Sequence, residues 1–111
     1  MHEYGVALEI AETALKNAGG RRLSKVLLRI GDLSGVFAES LTMYLDLIFR
    51  EKQKEPVTIV AEKVPARFKC ACGAAYSPDK IFDPCPSCGG FDRTVIDGKE
   101  CSIESIEIED A

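Results

Sequence analysis

The chain has 111 residues, of which 46% are hydrophobic and 29% are charged, and its formal net charge is −4. This length suits one modest domain with at most a small attached lobe, and the composition excludes a disordered chain. The acidic balance disfavours a general nucleic-acid binder, and no apolar run approaches the roughly 18–20 residues that span a bilayer. The opening Met-His-Glu-Tyr lacks the pattern of a signal peptide, so we expect a cytoplasmic protein.

The first half of the chain alternates helix and strand patterns. Apolar residues at helical spacing predict a first helix over residues 4–18, ended by the glycine pair that follows. A β-branched and apolar run predicts a strand over residues 23–30. A second helix is predicted over residues 38–52, after a loop in which Ser34 is a candidate cap.

The second half begins and ends with strand patterns. Alternating side chains after Pro56 predict a second strand. Residues 65–95 are rich in Cys, Gly, Pro and Asp and too poor in apolar residues to build a core of their own, so this segment needs a staple. A last strand is predicted over residues 101–109, with a bulge near Glu104 and Ser105 because its isoleucines do not alternate strictly.

These elements predict an α/β fold in which two helices pack on a three-stranded sheet, with a small Cys-rich lobe inserted before the last strand. We expect the last strand to complete the sheet begun by the first two. The acidic residues that close the chain are spaced among isoleucines, which indicates the solvent face of a strand rather than an acidic tail. They are Glu104, Glu107, Glu109 and Asp110.

Four of the five cysteines form two short pairs, Cys70-Ala-Cys72 and Cys85-Pro-Ser-Cys88. Two such pairs are typical of a tetrahedral Cys₄ zinc site, and with all positions filled by protein the zinc would be structural. Gly73 and Gly89 follow the pairs and let backbone amides turn toward sulfur. The first pair is one residue shorter than the common C-x₂-C spacing. Four buried free thiols, an iron–thiolate site and a redox dithiol are the alternatives, and Cys101 is expected to be a small apolar residue of the last strand.

His2 is the single histidine of the chain. A residue so near a terminus is ordinarily without function, but a metal-binding reading has a chemical basis. A bulky second residue favours retention of Met1, whose free amine, with the amide and imidazole nitrogens of His2, fits one plane around a divalent ion. The amide of Glu3 offers a fourth nitrogen. Planar nitrogen ligation favours Ni(II) or Cu(II).

The Met-His-Glu-Tyr start, the α/β pattern, the two cysteine pairs and the closing Gly98-Lys99-Glu100 with its Ile-Glu-Ile strand together resemble the HypA/HybF family, nickel metallochaperones of hydrogenase maturation. The resemblance covers essentially the whole chain. It implies an α/β nickel domain with a zinc lobe. It also implies that nickel binds at Met1, His2 and Glu3, and that zinc binds at Cys70, Cys72, Cys85 and Cys88.

The resemblance also implies a role and partners. Ni(II) would be a transferred cargo and Zn(II) a structural ion, and the chain would not be an enzyme. The implied partners are a nickel-handling maturation GTPase and the large subunit of a [NiFe] hydrogenase, and some relatives also serve urease; neither nucleic acid nor a membrane is implied. We expect a nickel domain of residues 1–64 plus 99–111 and a zinc domain of residues 65–98. Glu39 is a candidate further ligand without a motif match.

Two other readings compete with a metallochaperone. A zinc-ribbon module for protein or nucleic-acid interaction requires a basic or aromatic face on the ribbon. Four cations and four aromatic residues offer material for one: Arg67, Lys69, Lys80 and Arg93, with Phe68, Tyr76, Phe82 and Phe91. An iron–thiolate electron carrier would show a red-brown colour.

Overall fold

The computed structural model describes residues 2–109, so Met1, Asp110 and Ala111 lie outside the described part. The two helices and the three predicted strands agree with the sequence prediction to within a residue or two at each end. Three further strands, one of them only two residues long, lie in or beside the Cys-rich segment. In chain order the elements are α1 (Glu3–Ala18), β1 (Arg22–Gly31), α2 (Ala38–Gln53), β2 (Thr58–Val64), β3 (Arg67–Cys70), β4 (Ala75–Tyr76), β5 (Arg93–Asp97) and β6 (Cys101–Glu109).

The first sheet has the strand order β2-β1-β6, with β1 parallel to β2 and antiparallel to β6. The last strand therefore completes the sheet, as predicted. The predicted bulge is also confirmed: Leu27 pairs with Ser105 and Leu28 with Ile103, so that Glu104 is the extra residue. A second irregularity at Ser24 in β1 explains why Leu23 and Val26 both face the core although they are three residues apart.

Both helices pack against one face of this sheet and form the main core. Glycine ends α1 as predicted, because Gly19 takes the left-handed conformation (φ 62°). The other face of the sheet is charged: Lys25 lies 3.7 Å from Glu107, and Arg29 lies 3.6 Å from Glu62. The largest fully buried side chains of this core are Leu23, Val26, Leu28, Leu41, Leu45 and Phe49.

The loop between β1 and α2 differs from the prediction in one detail. Phe37, not Ser34, precedes the first turn of α2, and no side chain caps it. The hydroxyl of Ser34 instead accepts a hydrogen bond from the amide of Val36 at 3.2 Å, a local turn that shapes the loop. The candidate cap was wrong because serine hydroxyls form such turns as readily as they cap helices.

The second sheet, in the order β4-β3-β5, carries the cysteine pairs. We call β3, β4, β5 and the loops between them the cysteine lobe. Contrary to the prediction, this segment buries a small cluster of its own, although two of its five members are cysteines. Leu33, from the loop after β1, packs against that cluster from the other sheet. The buried members are Ala66, Phe68, Cys70, Tyr76 and Cys85.

The two sheets meet at a close backbone junction. The amide of Gly31 donates to Glu100 O at 2.9 Å, and the amide of Leu33 donates to Gly98 O at 2.8 Å. A side chain at Gly31 would overlap the carbonyl of Gly98, which requires glycine there. No helix within residues 2–109 is both long and apolar enough to cross a membrane.

Candidate metal sites

The first cysteine pair lies on a tight turn after β3. The amide of Cys70 donates to Ala74 O at 2.8 Å, and the amide of Gly73 donates back to Cys70 O at 2.9 Å. Gly73 has φ of 98°, a conformation that residues with a side chain rarely adopt. The shortened C-x-C spacing is therefore accommodated by a turn that closes at glycine.

The second pair lies on an equivalent loop. The amide of Gly89 donates to Cys85 O at 2.8 Å, and the amide of Cys85 donates to Gly90 O at 3.0 Å. Gly89 also has positive φ, at 72°. The amide of Gly90 points at the sulfur of Cys88, 3.4 Å away, so this loop presents a backbone dipole to the sulfur as the sequence predicted.

The two loops bring all four sulfur atoms within 4.8 Å of one another, and no other metal-sized group of His, Cys, Asp or Glu side chains occurs among residues 2–109. Across the loops, Cys70 Sγ lies 3.5 Å from Cys88 Sγ and Cys72 Sγ lies 3.8 Å from Cys85 Sγ. A tetrahedral ion with Zn–S bonds of 2.3 Å separates its sulfur ligands by about 3.8 Å. The donor set and its spacing therefore fit Zn²⁺, and all four thiols are free of disulfides.

The surroundings of the sulfurs shift the pKa values of two of the thiols in opposite directions. Hydrogen bonds from the backbone amide of Cys88, and then of Ser87, lower the pKa of Cys85 to about 7. At Cys70 the amide of Cys72 also acts to lower the pKa, but burial and the neighbouring Cys88 thiol outweigh it, and the pKa is raised. The lowered pKa of Cys85 favours its thiolate, the form that binds metal, at neutral pH. The Cys70 thiol, whose pKa is raised, would lose its proton when a cation binds.

Arg93 organises the cysteine lobe, a role that its sequence context does not predict. Its guanidinium lies 3.9 Å from the ring centroid of Phe68 and donates to Tyr76 Oη and to the carbonyl oxygen of Asp83. The sequence carries no local signal for this role, because Arg93 comes to lie beside Cys70 only through the pairing of β3 with β5. Arg93, which the sequence offered as part of a basic face, therefore makes its contacts inside the lobe. Phe68 and Tyr76, two of the aromatic residues offered for the same face, are buried there.

His2 stands directly before α1, and Glu3 is the first residue of that helix. The first amides of a helix have no intrahelical acceptor, so the Glu3 amide has no acceptor within α1. The imidazole is 62% exposed, and its Nε2 atom lies 2.9 Å from the carbonyl oxygen of Gly35. An edge-to-face contact of Tyr4 with Tyr44 holds this end of α1 against α2.

The carboxylate of Glu3 is directed to the β1–α2 loop rather than outward. Its Oε2 accepts the amide of Phe37 at 3.4 Å and lies 3.6 Å from His2 Nε2, and the side chain is only 14% exposed. Glu39 is exposed in the first turn of α2, and its carboxylate does not join His2 and Glu3 in a metal-sized group within the described range. The predicted Met1 ligand lies outside the described residues.

Cys101 is apart from the four clustered cysteines. It is partly buried against the main core, as expected of a small apolar residue, and burial raises the pKa of its thiol.

Comparisons with known proteins agree with one another. The model of the family described as "Hydrogenase/urease nickel incorporation, metallochaperone, hypA" matches residues 1–108. The chain is 36% identical to the hydrogenase maturation factor HypA of Geotalea uraniireducens and 37% identical to that of Geobacter metallireducens, over 98% of this chain and 100% of each relative. The solution structure of the Ni metallochaperone HypA from Helicobacter pylori shares the fold, with a TM-score of 0.63 at 20% identity over 97% of each chain.

Proposed function

The chain belongs to the HypA family of nickel-incorporation metallochaperones, and from that premise we propose which of its atoms hold nickel and how the ion leaves. The family makes it a nickel metallochaperone of hydrogenase maturation, and the four-cysteine cluster fits the zinc that accompanies that role. Ni(II) is its cargo. Zn(II), held by Cys70, Cys72, Cys85 and Cys88, is its structural ion.

The proposed nickel ligands are four nitrogen atoms of three consecutive residues. They are the amine of Met1, the amide and imidazole nitrogens of His2, and the amide of Glu3. The observation that carries this proposal is the position of His2 at the start of α1, where helix geometry leaves the Glu3 amide without an intrahelical acceptor. The Glu3 carboxylate faces Phe37 instead, which supports a role for Glu3 through its backbone.

Nitrogen ligands in one plane suit Ni(II), and their exposure suits a cargo that must leave. An imidazole that is 62% exposed is open to attack by the ligands of an acceptor protein. We propose that the protein acts by capture and ligand exchange, without turnover of a substrate. The proposed acceptors of the nickel ion are a nickel-handling maturation GTPase and the large subunit of a [NiFe] hydrogenase. The proposed compartment is the cytoplasm. Because the family description also names urease, nickel delivery to urease is a further proposed role.

Replacing His2 by alanine tests the nickel site. His2→Ala removes the one imidazole of the chain, so we expect stoichiometric Ni(II) binding to be lost while one zinc per chain and the fold are kept. Equilibrium dialysis of untagged protein, with metal analysis of the retained fraction, measures both ions. His2→Ala protein that binds nickel as tightly as the wild type would refute the site.

An extension of the chain supplies a second, independent arm. One residue added before Met1 converts the proposed amine ligand into an amide, so nickel affinity should fall although every side chain is kept. Glu39→Gln is the matched control, because it removes a nearby exposed carboxylate that lies outside the proposed ligand set. An extended protein with unchanged affinity would exclude the amine.

A zinc-ribbon module that binds nucleic acid is less well supported. Three of the eight residues that would form its face, Arg93, Phe68 and Tyr76, are committed to contacts inside the cysteine lobe. The net charge of −4 also disfavours phosphate binding.

A further inference from the structure

The ring of His2 makes a contact that determines which of its nitrogens is available. Nε2 lies 2.9 Å from the carbonyl oxygen of Gly35 and 3.6 Å from Glu3 Oε2. A carbonyl oxygen accepts hydrogen bonds and donates none, and an ionised carboxylate likewise only accepts. The ring nitrogen that faces both oxygens must therefore carry the proton.

We propose that the carbonyl of Gly35 positions His2 for nickel by holding it in the Nε2–H tautomer, which leaves the lone pair of Nδ1 free to bind the ion. Gly35 is a positioning residue, since its carbonyl contacts the proposed metal-binding residue His2 and would not contact the nickel ion itself. Metal-binding histidines commonly donate their second ring nitrogen to a carbonyl or carboxylate, which fixes both the tautomer and the orientation of the ring. This inference rests on the proposed nickel site and names the outer contact that prepares it.

The geometry of chelation explains why this tautomer matters. If nickel binds the amide nitrogen of His2 and also its ring, coordination through Nδ1 closes a six-membered chelate ring. Coordination through Nε2 would place the ion on the far side of the imidazole, away from the amide. The Nε2–H tautomer is therefore the one whose free nitrogen lies on the same side as the backbone ligands.

The position of the Gly35 carbonyl depends on an unusual backbone conformation. Gly35 has φ of 76°, and a Cβ placed on it would meet no atom within 4 Å. Larger residues are therefore disfavoured at this position by conformation and not by crowding. The turn at Ser34 and the hydrogen bond from the Phe37 amide to Glu3 hold the loop on either side, so the carbonyl is directed at the ring by the loop itself.

The tautomer is directly observable because the chain has a single histidine. In zinc-loaded, nickel-free protein labelled with ¹⁵N-histidine, a long-range ¹H–¹⁵N spectrum distinguishes the protonated ring nitrogen from the unprotonated one. At about pH 8.5, where an ordinary imidazole is neutral, we expect one predominant form with Nε2 protonated. A predominant Nδ1–H form, or the mixture typical of a free imidazole, would overturn the inference.

Three variants test whether Gly35 is the cause. Gly35→Val forbids the left-handed conformation, so the Nε2–H form should lose its predominance and the nickel dissociation constant should rise about tenfold, at the lower end of effects for outer contacts of metal ligands. Gly35→Asn tolerates that conformation and should restore both readings. Gly20→Val is the matched control: Gly20 has φ of 86° and open space around it, but lies at the opposite end of α1.

The outcomes separate this inference from the function it extends. A wild-type protein that binds no nickel contradicts the proposed site whatever the tautomer. A wild-type protein that binds nickel, but whose ring spectrum is the same in Gly35→Val, contradicts the role of Gly35 alone. Zinc content and the amide spectrum of the rest of the chain show whether each variant is folded. If Gly35→Val misfolds, the protonated ring nitrogen of His2 in the wild-type protein decides the inference.

Discussion

The two metal sites of this protein differ in what holds them together. The zinc site consists of four side chains that two loops bring within 4.8 Å, and two of its sulfurs, Cys70 and Cys85, are buried. The proposed nickel site consists mostly of backbone nitrogens of three consecutive residues, with one imidazole that is 62% exposed. An ion enclosed by four side chains on two loops can leave only when those loops separate. An ion held by a few neighbouring atoms at a helix end can be exchanged.

The largest expected effect breaks the zinc side of this comparison. Cys85→Ser removes a buried sulfur from the proposed zinc site, and small structural zinc sites supply about 10–16 kcal/mol of folding free energy. We expect amide signals of β3, β4 and β5 to collapse toward unfolded positions while those of β1, β2 and β6 persist. Metal analysis should show the loss of tight zinc.

Cys101→Ala is the control for that experiment, because Cys101 lies outside the cluster and should leave zinc in place. A Cys85→Ser protein that retains one tight zinc would contradict the four-cysteine assignment. The same spectra test the predicted division into residues 1–64 plus 99–111 and residues 65–98, which stays a prediction. Simultaneous loss of both sheets would show that they fold as one unit.

The next largest effect weakens the main core, which supports α1 and with it the proposed nickel site. Phe49 is fully buried under the first sheet, so Phe49→Ala should lower the free energy of unfolding by about 3–5 kcal/mol. Zinc should remain bound, because the cysteine lobe has its own cluster. Chemical denaturation followed by circular dichroism, with zinc release measured in parallel, checks both statements.

Leu47→Ala is the matched control on the same helix, since Leu47 is 58% exposed and its truncation should change stability by less than about 0.5 kcal/mol. Zinc release at the same denaturant concentration as loss of helix in Phe49→Ala would mean that the main core also supports the metal site.

The smallest expected effect concerns the support of the zinc site. Arg93→Lys loses the planar group that stacks on Phe68 and bonds both Tyr76 and the loop of Asp83, which should cost about 1–3 kcal/mol of stability in the cysteine lobe. Competition with a zinc chelator measures the effect as faster release. Arg67→Lys, an exposed substitution on β3, should behave as the wild type; equal release rates in the two variants would show that Arg93 is not a support.

Much of the fold was predictable because its signals are local. Apolar spacing gave both helices of the α/β fold, glycine marked the end of α1, and the imperfect isoleucine pattern of the last strand indicated its bulge. The cysteine pairs were equally clear, since short loops with two sulfurs carry their geometry in their spacing. Ser34 was misassigned because the sequence alone does not distinguish a serine whose hydroxyl caps a helix from one whose hydroxyl accepts a hydrogen bond in a local turn.

The sequence by itself determined which residues are candidates to bind metal, because the type and spacing of the side chains can be read along the chain: four sulfurs in two pairs, and a single histidine at position 2. Only the tertiary structure decided what surrounds those atoms. It placed Arg93 against Phe68, Leu33 against the cysteine lobe and the carbonyl of Gly35 against His2, which is 33 residues distant in the chain. Such contacts join positions with no periodic relation to each other, and they form because strand pairing, the packing of α1 on α2 and the junction of the two sheets bring separate parts of the chain together.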